Sequence, residues 1–108
     1  MAQNFRRYTS NNVGTSAATI FTANSYDTIV GISVSNVTTS AINVSVYIND
    51  GSNDIHLVKD APIVAGGSLQ VVDGGAKFVV QSGDALKVIS DTASSADVWV
   101  SAVDAIST

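Results

Sequence analysis

The chain has 108 residues and a mass of 11.1 kDa, enough for one domain around one core. Charged residues make up 13% against 45% apolar, and the net charge of −4 comes from nine Asp, no Glu and only five basic residues. That balance excludes a nucleic-acid module, which needs a cationic stripe to displace counterions. The absence of Cys excludes disulfides and thiolate-bound metals. No apolar run approaches the ~20 residues of a membrane helix, and the opening residues lack the apolar core of a signal peptide. The exterior must then be mostly Ser, Thr, Asn and Gly, a surface on which few like charges repel a neighbour.

Residues 1–13 differ from the rest of the chain. They hold Phe5, Arg6, Arg7 and Tyr8 and then the polar run Thr9 to Asn12, with no alternation. The reading is an N-terminal arm, with residues 14–108 forming the domain. Aromatic and Arg side chains are the usual interface anchors, so Phe5, Arg6, Arg7 and Tyr8 are the candidate partner-binding residues. Deletion of residues 2–12 is then expected to leave a folded domain that no longer binds its partner.

Val, Ile and Thr dominate the domain while Leu, Gln and Glu are scarce or absent, a composition for strands rather than helices. Alternation predicts strands at 18–22, 28–35, 41–49, 55–59, 68–72, 77–81, 85–90 and 97–102. In the clearest of these, Ile42, Val44, Val46 and Ile48 share one face and Asn43, Ser45, Tyr47 and Asn49 the other. Asn49-Asp50-Gly51, Gly66-Gly67, Asp73-Gly74-Gly75 and Ser82-Gly83-Asp84 supply turn chemistry between the runs. Pro62 belongs at an edge or bend. The fold class is all-β, a single antiparallel β-sandwich or jelly-roll-like domain of about eight strands with an extended N-terminal arm. Val30, Ile32 and Val34 are assigned together to the core. Trp99, which shares its face with Ser101 and Val103, is either a barrel-end plug or a contact with another chain, core packing being the preferred reading, while Val13, Ile63 and Ile106 fit either core or interface.

No residue pattern supports catalysis. His56 is the single histidine and sits between Ile55 and Leu57 in a strand, with no nucleophile-elbow motif in the chain. One His without Cys does not make a zinc site. Asp50 to Asp54 clusters oxygen ligands, but the bidentate Glu that closes a twelve-position calcium loop is missing, so a solvated hairpin turn is the preferred reading. The glycine pairs match neither the P-loop nor the dinucleotide fingerprint. No catalytic residue, metal or cofactor is assigned.

Ile48-Asn49-Asp50-Gly51, Leu57 to Ile63 around Pro62, Gly66-Gly67-Ser68-Leu69, Gly74-Gly75-Ala76-Lys77 and Gly83 to Val88 resemble small virion structural proteins of tailed bacteriophages. The opening Met1 to Ser16 is similar to those of phages of marine and cyanobacterial hosts. The resemblance implies a non-enzymatic virion component. The leading expectation is a capsid decoration (cement) protein, made in the host cytoplasm. It would bind the major capsid protein or other virion proteins on the outer capsid surface as a homo-oligomer, a trimer being favoured. A neck, collar, tail or fibre component is the alternative within that class. A glycan-binding or host-surface module would instead use Trp99, Tyr47, Tyr26 and the Asn49 to Asp54 loop, and a hydrolase would need His56.

Overall fold

A computed structural model describes residues 4–23, 27–71 and 78–104. Nine strands are described: β1 (Asn4–Val13), β2 (Ala18–Thr22), β3 (Asp27–Asn36), β4 (Ile42–Asn49), β5 (Asp54–Ile63), β6 (Ser68–Gln70), β7 (Phe78–Val80), β8 (Ala85–Ser90) and β9 (Ala96–Asp104). They form two antiparallel sheets packed as a β-sandwich. One runs β1-β9-β3, with the short β6 and β7 sharing the far edge of β3; the other runs β2-β8-β4-β5. Tyr26, Asp73 to Lys77 and Ile106 lie outside the described residues.

Each central strand turns its β-branched residues inward. Ile32, Val34, Ile42, Val44, Val46, Val88, Val98 and Val100 are all at most 3% exposed. Burial of a Val or Ile side chain contributes about 1.5–3 kcal/mol, so the interior stripes outweigh any single turn in holding the sheets together.

The segment expected to be an arm is strand β1, and here the structure departs from the sequence reading. It pairs with β9 from Asn4↔Asp104 to Ser10↔Val98, and resumes at Val13↔Ala96 after a bulge. Alternation was hard to see because the inward positions Tyr8 and Ser10 are an aromatic and a hydroxyl rather than aliphatics, and the bulge changes phase before Val13. Tyr8 stacks on Phe21 of β2 at a centroid distance of 4.3 Å and an interplanar angle of 10°, joining the two sheets at this margin. Val13 is buried, its carbonyl accepts from Ser95 N at 2.9 Å, and the Gly14 carbonyl accepts from Ser90 N at 2.9 Å. A further bond links the Ser90 and Ser95 hydroxyls at 2.6 Å.

A second departure concerns β3. Its register on β9 shifts between Ile29 and Gly31, so the buried phase changes from Asp27 and Ile29 to Ile32, Val34 and Asn36. Val30 falls at the bulge and is 38% exposed, whereas Ile29, omitted from the expected core, is fully buried. An inserted residue reverses the faces of everything beyond it.

Strand β5 also runs further than alternation suggested, through Pro62 to Ile63. It is an edge strand, so the missing Pro N–H costs no ladder bond. The irregularity at Asp60, φ 52°, is held by its backbone N–H donating to the Ser45 hydroxyl at 2.9 Å.

The exposed loops are tied by carboxylates. Asp91 accepts from Asn43 N at 3.1 Å and Thr92 Oγ1 at 2.9 Å, and these bonds, the backbone one foremost, hold its carboxyl below the usual carboxylate range. Asp50 is lowered in the same way by the N–H groups of Asn53 and then Ser52. A carboxyl whose folded-state pKa is depressed stabilises fully above its unfolded value of about 4, and that contribution is lost as pH falls through the folded value. The urea midpoint is therefore expected to drop between about pH 7 and pH 3, and the drop should be smaller in Asp91→Asn. An equal drop in both proteins would remove Asp91 from the acid response.

Candidate interaction face

The two outer faces of the sandwich differ in chemistry. On the four-stranded sheet, register aligns Thr19, Lys87, Tyr47 and His56 in one row and Ala85, Asn49 and Asp54 in the next. Polar and charged side chains of both signs cover it. On the five-stranded sheet, one row reads Phe5, Val103, Thr28 and Val79, and another reads Thr9, Trp99, Ser33 and Gln70. Phe5 is 82% exposed, Val79 70% and Trp99 52%, with Val30 beside them. Arg7 and Asp97 are the charges that alternation places on this face among the residues whose side chains are described.

Arg7 lies over the Trp99 ring, 5.5 Å from its centroid. A guanidinium at that distance is attracted by the ring quadrupole, and its flat side chain covers part of the indole. The pair therefore presents a cation on an aromatic base. Trp99 is thus not a core residue. Val98 and Val100 are buried on either side of it, and a strand with one buried face turns the intervening residue out.

Of the four anchor candidates, strand pleat separates two pairs. Phe5 and Arg7 share the outer face with Trp99, while Tyr8 turns inward onto Phe21. Arg6 is exposed and pairs in register with Ala102. Sequence reading missed Val79 and Val30 as members of this face. Val79 was detectable, since it alternates with Phe78 and Val80; Val30 was hidden by the bulge.

The other candidate residues are dispersed. His56 stands on the charged face with its ring 4.9 Å from that of Tyr47. The Asn49 to Asp54 loop is closed on itself: Asp50 Oδ1 accepts from Ser52 N at 3.0 Å and Asn53 N at 2.8 Å, and Asp54 Oδ1 accepts from Asn49 Nδ2 at 2.7 Å. Gly51 at its tip has φ 98°, a conformation that favours glycine. Among the described residues no three His, Cys, Asp or Glu side chains converge on a metal position. A shallow polar cavity of about 350 Å³ lies between the β1–β2 and β8–β9 loops, lined by Ser10, Asn11, Asn12, Thr15, Ser16 and Ser94 among others, with no titratable side chain in its lining. It offers hydroxyls and amides but no acid or base.

No family model and no curated protein matches the chain. Solved structures do. The chain superposes on one from the acid-stable capsid of the Helicobacter pylori bacteriophage KHP30 with a TM-score of 0.60 at 12% identity, over 95% of this chain and 87% of that one. It matches a pentameric capsid protein from metagenomic phage sequences with a TM-score of 0.52 at 20% identity, over 94% of this chain. This chain spans 60% of that protein's length. A chain from Bacillus endospore appendages, which are disulfide-linked pili, matches with a TM-score of 0.50 at 13% identity, over 94% of this chain and 84% of that one. At these identities what is shared is the fold. Disulfide linkage is closed to the present chain, which has no Cys.

Proposed function

We propose that this protein is a non-enzymatic structural subunit of a phage virion, decorating the outer capsid surface as an oligomer and bound to the major capsid protein lattice. The observation that carries the reading is the five-stranded sheet's outer face. It joins exposed Phe5, Trp99 and Val79 to one guanidinium and is otherwise nearly uncharged. Aromatic and Arg side chains with few other charges are the composition of an interface core rather than of a solvated surface. The shared fold supports the same reading, because the proteins that carry it build capsids and pili. A decoration protein stabilises a lattice by mass action, so many modest contacts repeated by symmetry suffice.

Location and copy number in purified particles test the reading. Labelling on the head and hundreds of copies per particle are expected. Tens of copies at the neck or tail would transfer the protein to that part of the virion, and its absence from particles would end the proposal. Trp99→Ala should change stability by no more than about 1 kcal/mol, as for an exposed position, yet lower particle occupancy at least tenfold. Undiminished occupancy of a folded Trp99→Ala protein would separate this face from assembly.

A further inference from the structure

The two margins of the sandwich are complementary, and we infer that the outer face and the β1 margin take the β5 margin of a second copy of this chain, in a head-to-tail contact that closes into a ring. This rests on the oligomeric virion reading and names the partner of the Phe5, Arg7 and Trp99 surface.

Sheet order places β1 and β2 along one margin and β5, β6 and β7 along the other. The first margin carries Arg6 and Arg7 and no acid on either strand. The second carries Asp54 and Asp60 against Lys59 on β5, with Asp50 in the turn before it, and no charge on β6 or β7. Apolar groups divide in the same way. Phe5 and Trp99 are exposed on or beside the first margin, and Ile55 and Val79 on the second. Aromatic and cationic groups thus stand opposite aliphatic and anionic ones.

Height along the strands agrees. Asn36, at the end of β3, donates to the carbonyls of Ser40 at 2.8 Å and Ile63 at 3.0 Å, and Ile63 pairs with Ile42 at the start of β4. The opposite ends of β3 and β4, Thr28 and Asn49, therefore share the other end of the sandwich. Phe5 and Val79 lie in the row of Thr28, and Asp54 and Ile55 beside Asn49 and Ile48. Phe5 and the Asp54–Ile55 pair thus sit at one end, as a rotation axis along the strands requires, with Arg7 and then Trp99 further along the strands. A two-fold contact of the β1 margin with itself would set cationic side chains against their own copies, whereas a heterologous contact pairs Arg7 with the Asp54 region and repeats around the axis.

The chain has no Cys, so introduced cysteines report contacts cleanly. In the full chain, Phe5→Cys and Ile55→Cys singly should stay uncrosslinked under mild oxidation, while the double variant should form a disulfide ladder ending at the ring size seen for the wild type by native mass spectrometry. Arg7→Glu and Asp54→Lys should each raise the dissociation constant at least tenfold with the thermal melt of the monomer unchanged, and the two together in one chain should restore assembly. Dimers from Phe5→Cys alone, a monomeric wild type, or an oligomer indifferent to all these changes would overturn the head-to-tail contact. None of those results concerns particle localisation. A ring in solution that is missing from particles would instead refute the virion reading and leave this contact standing.

Discussion

Removal of residues 2–12 is expected to destabilise the domain severely rather than leave it intact. The deletion strips β1 from β9, exposes the backbone edge of β9, and takes away Tyr8, whose ring covers Phe21 between the sheets. Loss of a packed aromatic costs about 3–5 kcal/mol, a large part of the roughly 5–15 kcal/mol that holds a domain together. Each kcal/mol moves the melting temperature of a domain this size by about 4–8 °C, so a fall of more than about 12 °C is expected by circular dichroism. Tyr8→Ala should reproduce part of it. A truncated chain melting within a few degrees of the full one would return β1 to the status of a dispensable arm. The newly bared β9 edge should also promote aggregation, since unpaired strand edges template further pairing.

Asn36→Ala is expected to cost about 3 kcal/mol through a different mechanism, loss of a buried polar hub. Asn36 is 2% exposed at the end of β3. Its Nδ2 donates to the carbonyls of Ser40, Ile63 and Val64, the last at 3.2 Å, and its Oδ1 accepts from Thr38 N at 2.9 Å and Thr38 Oγ1 at 2.8 Å. One side chain thus binds the β3–β4 loop to the end of β5 and the turn into β6. Alanine leaves the buried Ile63 carbonyl without its donor, at about 1–3 kcal/mol, and removes the part-buried bonds to Ser40, Val64 and Thr38 as well, while Asn36→Asp keeps the acceptor and loses the donors. Asn36→Asp should therefore recover little at neutral pH, and a chemical melt ranking it near wild type would show that the Thr38 bonds alone sustain the hub. Gly67, in the adjoining turn, is closely approached: a Cβ there would stand 2.8 Å from Val64 Cγ2 and 3.2 Å from the Val64 carbonyl oxygen, so a side chain at this position requires Val64 to shift.

Much of the sandwich was legible as alternation. Ala18–Thr22 and Ala85–Ser90 match the expected runs residue for residue, and Ile42, Val44 and Val46 are buried as their spacing implies. Trp99 faces outward, against the general preference of Trp for burial, because Val98 and Val100 on either side of it face the core. In a strand with one inner face, geometry overrides residue preference. The candidate site was half legible. Phe5 and Arg7 were singled out by composition alone, but their assembly with Trp99 depends on β1 pairing with β9, a contact across nearly the whole chain.

What the amino-acid order determined by itself is local: aliphatic and polar residues at period two select strands, and Gly, Asn and Asp select the turns between them, because both depend on backbone preferences within a few residues. What only the tertiary structure decided is which neighbour each strand takes and in which phase. The bulges at Ile29 to Gly31 and Ser10 to Val13 reverse the faces beyond them, and whether a bulge forms depends on the partner strand. That choice turned Val30 outward, brought Arg7 over Trp99, and made an apparently unpatterned N-terminus into one side of the sheet.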